Sequence, residues 1–174
     1  RQRTVFVERE RRSKTGESRD QIRDRLLEGD ALVLFPEGTS NDGNRVLPFK
    51  SALMGAAESQ IGADAQGKPV YVPVQPVSIT YVGLHGIPMG RENRPLFAWY
   101  GDMELVDHLW EGLKTGPVDL IIQCQEPLTV DQVGGRKNLA RIVEDKIRQG
   151  QALALAGLAG RPDPVPAQLP AAPE

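Results

Sequence analysis

The fold is decided by one stretch of sequence, Val33-Leu34-Phe35-Pro36-Glu37-Gly38-Thr39-Ser40. The apolar run at residues 31–35 predicts a buried strand, and the Pro-Glu-Gly-Thr sequence ends that strand abruptly. Proline has no N–H to donate to a sheet, and glycine permits a tight turn. Open α/β sheets bind their ligands beyond the carboxyl ends of strands, so this polar turn predicts a binding site. From spacing alone, a polar surface turn is an equally good interpretation.

The amino-terminal half of the chain resembles a known enzyme family. Phe-Pro-Glu-Gly-Thr at residues 35–39 is similar to the third sequence block of the glycerolipid acyltransferases, which include 1-acyl-sn-glycerol-3-phosphate acyltransferase. Residues 5–9 (Val-Phe-Val-Glu-Arg) resemble the second block, and residues 72–79 (Val-Pro-Val-Gln-Pro-Val-Ser-Ile) resemble the fourth. The three segments occur in family order and cover about residues 4–82. The remainder is compatible with that family without being diagnostic of it.

The order of predicted elements indicates an α/β fold with a mainly parallel sheet flanked by helices, as the resemblance also implies. A strand at residues 4–8 precedes a helix at 18–28, which begins with a Ser-x-x-Gln capping box and ends at Gly29. The strand at 31–35 and a helix at 51–61 follow, and then an extended segment at 70–81. Further on we predict helices at 103–113 and 138–156, with a buried strand at 118–124 between them.

We expect residues 1–159 to form the carboxy-terminal part of one acyltransferase domain, with the amino-terminal part missing. The chain begins Arg1-Gln2-Arg3, without an initiator methionine, directly before the first predicted strand. Residues 160–174 are rich in proline and alanine, which predicts a disordered tail.

Composition narrows the classes of partner. The net charge of −2 offers no global basic field, so no nucleic acid is expected. The single cysteine, Cys124, excludes an intrachain disulfide, and its apolar run predicts a packed core thiol. No stretch approaches the roughly 20 apolar residues of a membrane span, so membrane contact is expected to be peripheral or supplied by other segments. There is no His/Cys cluster, and the carboxylates lack metal-ligand spacing, so we expect no metal.

The resemblance implies an acceptor-binding role for the motif residues. It implies that Arg9 helps to hold the acceptor phosphate, because a guanidinium can donate two parallel hydrogen bonds. It implies that Glu37, Gly38 and Thr39 shape the acceptor pocket. Glu37 is the better candidate for orienting a basic group or a hydroxyl, since a carboxylate repels phosphate. The structural alternatives are a solvated arginine and a turn carboxylate.

The chain departs from the family pattern at Ser40, where many members carry an arginine assigned to phosphate. Either Arg45 or Lys50 supplies that positive charge, or the acceptor needs less of it, as a lyso-ornithine lipid would. Lys50 precedes a predicted helix and is expected to aid the anion-binding amino end of that helix. A solvated lysine is the alternative.

The catalytic residues of the family are expected upstream of this sequence. The family is understood to use a His-x-x-x-x-Asp block, with the histidine as base and the aspartate orienting it. The fifth residue after His85 is Gly90, and the fifth after His108 is Leu113, so neither histidine fits. We therefore expect the fragment alone to be inactive.

The main hypothesis is acyl transfer from acyl-CoA or acyl-carrier protein to a lysophospholipid, giving phosphatidate from 1-acyl-sn-glycerol-3-phosphate. The thioester is a co-substrate, and no resident cofactor is implied. The alternatives are an acyltransferase for lyso-ornithine lipid and a non-catalytic lipid-binding relative. The expected location is the cytoplasmic face of a bacterial inner membrane. A nucleotide-binding domain is disfavoured because neither G-x-G-x-x-G nor G-x-x-x-x-G-K-[ST] occurs.

Overall fold

The computed structural model describes residues 22–159. Its regular elements, numbered here in chain order, are a helical segment at 22–27, a 3-10 helix Leu53–Glu58, strands β1 (Gln60–Ala63), β2 (Pro69–Tyr71), β3 (Val77–Leu84) and β4 (Ile87–Pro88), a 3-10 helix Arg94–Phe97, helix α1 (Leu105–Thr115), strand β5 (Val118–Cys124) and helix α2 (Arg136–Leu155). Four predictions lie outside the described residues: the acceptor-binding role of Arg9, the strand at 4–8, the capping box at the start of the first helix, and the disordered tail at 160–174.

The described strands form two small antiparallel sheets. One contains β1 and β2, and the other has the order β4-β3-β5. The predicted mainly parallel sheet is therefore not confirmed, because every strand pairing within residues 22–159 is antiparallel. The segment at 70–81 is split by the buried Pro76, so that β2 and β3 join different sheets.

The predicted buried strand at residues 31–35 is wrong for the structure described here. These residues have no strand assignment, and Val33 and Phe35 are 84% and 74% exposed. A strand requires a hydrogen-bonded neighbour, and none of the described strands pairs with this segment. The preceding turn is as predicted: Gly29 (φ +88°) follows the helical segment, and Asp30 N–H donates to Arg25 O at 3.0 Å.

The core lies where α2 packs against the 3-10 helix Leu53–Glu58 and the loops beside it. Six buried residues form it: Met54, Ala57, Val130, Leu139, Ala140 and Val143. The long predicted helix at 138–156 is thus confirmed as α2, and the helix at 103–113 is confirmed as α1 with slightly shifted ends. The helix predicted at 51–61 is only a short 3-10 turn, because β1 already begins at Gln60.

Helix α2 also covers one face of the β3–β5 sheet. A Cβ placed on Gly150 would lie 2.5 Å from Ser78 Oγ, so only glycine permits this close approach. Ser78 and Thr80 of β3 face this buried side, whereas Ile79 and its cross-strand partner Ile122 are exposed on the other. The strand at 118–124 is therefore confirmed with its predicted bounds, but it is not buried: one face is half-buried and the other is exposed. Cys124 is exposed, contrary to the prediction of a packed core thiol.

Candidate functional site

The candidate site is the loop at residues 36–50, called here the acceptor loop. It begins with a turn in which Gly38 N–H donates to Phe35 O at 3.2 Å. Gly38 has a φ of +69°, a conformation that residues with a Cβ rarely adopt. The loop closes where Lys50 N–H donates to Pro36 O at 2.8 Å. The backbone conformation of this turn therefore explains why the motif has a glycine at position 38. A backbone hydrogen bond joins the two ends of the loop.

Glu37 connects different parts of the loop by accepting two hydrogen bonds within it. Its Oε2 accepts the Leu47 N–H at 2.9 Å and the Asn41 side-chain amide at 3.1 Å. A carboxylate that accepts from backbone and side-chain N–H groups forms charge-assisted hydrogen bonds, which are stronger than neutral ones. Glu37 is half-buried. In this structure the motif carboxylate thus sets the shape of the loop.

The tip of the loop is built from two Asx turns. Asn41 Oδ1 accepts the Gly43 N–H at 2.8 Å, and Asp42 Oδ1 accepts the Asn44 N–H at 3.1 Å. Asp42 Oδ2 also accepts from the Asn44 side chain at 3.1 Å. These hydrogen bonds from Asn44 lower the pKa of Asp42, and the positive charge of Arg45 contributes less. Asp42 is therefore held as a carboxylate beside Arg45.

Two distant elements hold the tip of the loop in place. Arg94, from the 3-10 helix Arg94–Phe97, donates from one terminal nitrogen to Asn44 Oδ1 at 2.9 Å. Gln151 of α2 donates from its side-chain amide to Gly43 O at 3.5 Å. Sequence reasoning missed both residues, because nothing in a single sequence pairs positions 50 and 108 residues apart.

Glu144 of α2 anchors the carboxyl end of the loop. Its Oε2 accepts the Phe49 N–H at 2.9 Å, and its Oε1 accepts from Arg148 at 2.6 Å, one helical turn further on. The backbone hydrogen bond from Phe49 is the main cause that lowers the pKa of Glu144, and burial opposes it. This anchor was also missed, although its Glu-x-x-x-Arg spacing is visible in the sequence as an ordinary helix pair.

The structure brings six predicted site residues into this one loop: Glu37, Gly38, Thr39, Ser40, Arg45 and Lys50. Within the loop, these six residues lie at different places. Lys50 lies over the motif turn, with its Nζ 3.0 Å from the position of a Cβ on Gly38. Arg45 lies near Asp42 at the tip. Thr39 and Ser40 are exposed beside the turn, so their hydroxyls are accessible to a ligand.

Features outside the acceptor loop also bear on function within residues 22–159. No group of three or more His, Cys, Asp or Glu residues there is arranged to hold a metal ion. In the same part of the chain, no helix is both long and apolar enough to cross a bilayer. Neither described histidine belongs to the acceptor loop. The loop offers a backbone turn fixed by hydrogen bonds, the hydroxyls of Thr39 and Ser40, two carboxylates and two cations, a set that binds polar groups.

The comparisons with known proteins agree with the three sequence blocks. The Acyltransferase family profile matches residues 1–80. The chain is 49% identical, over 94% of its length and 59% of the relative, to a lyso-ornithine lipid O-acyltransferase of Brucella abortus. It is 42% identical to the enzyme of that name from Rhizobium meliloti, over 95% of this chain and 57% of the relative. The chain thus spans under three-fifths of the length of these relatives.

A relative with another named acceptor matches a shorter segment. The 1-acyl-sn-glycerol-3-phosphate acyltransferase of Haemophilus influenzae is 39% identical over 56 residues, which are 32% of this chain and 23% of that protein. No solved structure matches the chain.

Proposed function

We propose that the full-length protein is an acyltransferase, in keeping with the family profile that matches residues 1–80, and that it transfers an acyl group to the free hydroxyl of a lyso-ornithine lipid. The observation that carries the proposal is the 49% and 42% identity, over nearly the whole chain, to relatives named for that reaction. The sequence hypothesis that favoured 1-acyl-sn-glycerol-3-phosphate has weaker support, since its named relative matches only 32% of the chain.

The acceptor loop is the part of this chain that we assign to the head group of the acceptor. Glu37 holds the loop from within, and Arg94 and Glu144 hold it from outside, so the backbone that carries its hydroxyls and cations has a fixed shape. Ser40 supports the choice of head group, because a neutral hydroxyl stands where many relatives use an arginine for phosphate. An acceptor without a phosphate has no need of that guanidinium.

The chemistry joins the acceptor hydroxyl to the acyl carbonyl carbon of a thioester. The hydroxyl loses its proton to a base, the C–O bond forms, the C–S bond breaks, and the thiol leaves with a proton. By resemblance we assign the base to a His-x-x-x-x-Asp block upstream of the second sequence block. The role of the acceptor loop is to hold the head group so that the hydroxyl stays beside that base, which makes the step effectively intramolecular.

The partners and the location follow from this reaction. We infer an acyl-CoA or acyl-carrier-protein donor, which is a cytoplasmic thioester, and an acceptor embedded in a membrane. The protein would then work at the cytoplasmic face of a bacterial inner membrane.

The proposal is tested by assaying the purified full-length protein with lyso-ornithine lipid in mixed micelles, with acyl-CoA and acyl-carrier protein supplied in turn. We expect O-acylated ornithine lipid from one donor or both, identified by mass spectrometry. The matched control is the full-length protein with Glu126→Ala, which replaces an exposed glutamate outside the acceptor loop and should retain activity. Absence of transfer from either donor by the folded wild-type protein would overturn the proposal.

A further inference from the structure

Lys50 lies closer to the motif glycine than its place in the sequence suggests. A Cβ on Gly38 would lie 3.0 Å from Lys50 Nζ, 3.1 Å from Cδ and 3.3 Å from Cε, so the lysine stem crosses the open face of the glycine. The backbone N–H of Lys50 is separately bonded to Pro36 O at 2.8 Å. Replacing the side chain therefore leaves the hydrogen bond that closes the loop intact.

The charge of Lys50 has no carboxylate partner in the described part of the chain. Within residues 22–159, no Asp or Glu oxygen lies within 4.0 Å of its Nζ. Glu37, the carboxylate of the motif, is instead bonded through Oε2 to Leu47 and Asn41. Arg45, the other cation of the loop, lies in the field of Asp42. Arg45 likewise forms no ion pair within residues 22–159, so Lys50 differs from it in position: the Lys50 side chain crosses the motif glycine, whereas Arg45 lies near Asp42 at the tip of the loop.

We propose that Lys50 binds the carboxylate of the acceptor head group and thereby helps to select that acceptor. This inference rests on the proposed function. Ornithine attached through its α-amino group keeps one carboxylate, which carries a single negative charge, and one ammonium. A lysine ammonium is a compact point charge with three donors, so it can pair with one carboxylate. The preference for a carboxylate over a phosphate comes from Ser40, which leaves no guanidinium fork at that position of the motif.

The test compares Lys50→Gln and Lys50→Arg in the full-length protein on two acceptors, lyso-ornithine lipid and its analogue in which the carboxylate is a neutral carboxamide. A hydrogen bond to a charged group contributes about 1.5–3 kcal/mol, which corresponds to roughly a 10- to 150-fold change in an equilibrium constant. We expect Lys50→Gln to raise KM for lyso-ornithine lipid at least tenfold while kcat changes less than threefold. Lys50→Arg should recover most of the loss, since it keeps the charge.

The carboxamide analogue separates a ligand contact from a structural effect. We expect the wild-type protein to have a KM for the carboxamide analogue about as high as the KM of Lys50→Gln for lyso-ornithine lipid, because both lack the charged contact. Lys50→Gln should raise the KM for the analogue little further. The control is Lys68→Gln, which removes an exposed lysine from the β1–β2 turn and should leave both KM values unchanged. Equal losses on both acceptors, or no loss on either, would overturn the assignment of Lys50.

Failure of this inference is distinguishable from failure of the proposed function. If the wild-type protein acylates lyso-ornithine lipid and Lys50→Gln is silent, only the role of Lys50 falls. If the wild-type protein acylates lysophosphatidate alone and Lys50→Gln raises that KM, Lys50 still binds an anion, but the anion is a phosphate and both the ornithine carboxylate and the proposed function are rejected.

Discussion

The acceptor loop and the apolar segment before it come from one sequence motif, yet they behave differently in the structure. The loop at residues 36–50 is held by at least six hydrogen bonds, which come from its own side chains and from two distant segments. The segment at 31–35 has three large apolar side chains exposed and no strand partner among the described strands. The difference teaches that polar turns carry much of their own structure, whereas a buried strand is made by its neighbours.

The largest expected effect comes from removing the carboxylate that ties the loop. Glu37→Ala leaves the Leu47 N–H and the Asn41 amide without their acceptor, so the loop loses its fixed shape. We expect kcat/KM for the lysolipid acceptor to fall by at least about 100-fold, measured in the full-length protein. The matched Glu126→Ala variant should be near wild type. Unchanged acceptor kinetics in Glu37→Ala would refute the assignment of this loop to acceptor binding.

A smaller effect is expected from the anchor on α2. Glu144→Ala removes the acceptor of the Phe49 N–H, and we expect it to lower the free energy of unfolding by about 1–3 kcal/mol, measured by urea denaturation. The matched control is Asp145→Ala, whose only described partner is an exposed Arg141 at 3.5 Å and which should change stability by less than about 0.5 kcal/mol. Equal effects of the two substitutions would argue that the loop needs no anchor.

The same anchor predicts a pH dependence with a definite sign. The pKa of Glu144 is lowered in the folded protein from its ordinary value of 4.5. Its contribution is therefore fully present above pH 4.5 and is lost as the pH falls through the lower folded pKa. We expect the stability difference between wild type and Glu144→Gln to shrink below pH 4.5 in the same urea measurement. A difference that grows on acidification would contradict this account.

A still smaller effect is expected where the tip of the loop meets Arg94. Arg94→Lys keeps the positive charge but changes the geometry of the hydrogen bond to Asn44 Oδ1. We expect KM for the acceptor to rise about three- to tenfold, which corresponds to about 0.7–1.4 kcal/mol, with little change in kcat. A loss confined to kcat would show that Arg94 acts elsewhere than on the acceptor loop.

The smallest change concerns selectivity rather than activity. Ser40→Arg restores the arginine that many relatives carry beside the motif, and we expect it to improve the use of lysophosphatidate several-fold, because a guanidinium can bind phosphate with two hydrogen bonds. Initial rates with each acceptor measure the ratio, and Ser40→Ala serves as the control that lacks the added charge. An unaltered ratio in Ser40→Arg would place residue 40 away from the head group.

The sequence alone predicted α1, α2 and β5 nearly to their bounds, because these elements have clear periodicity or a sharply limited apolar run. The motif and the cations that follow it also predict six binding residues in the acceptor loop, which the kinetic experiments above would test. Sequence reasoning missed Arg94, Glu144 and Gln151, since each reaches the loop from far along the chain. The parallel sheet was predicted from alternating elements, but the described strands pair in an antiparallel way through β3 and its neighbours. Local patterns therefore specified the elements, and tertiary contacts decided how they pair.

We propose that the full-length protein acylates a lyso-ornithine lipid in preference to a lysophosphatidate. The most direct measurement is a competition assay with the full-length protein, in which equal amounts of both acceptors share the same micelles and the donor is limiting. The ratio of the two products, read by mass spectrometry, gives the ratio of kcat/KM values. We predict that acylated ornithine lipid exceeds phosphatidate by at least about tenfold, which corresponds to about 1.4 kcal/mol. Equal products, or an excess of phosphatidate, would contradict the account.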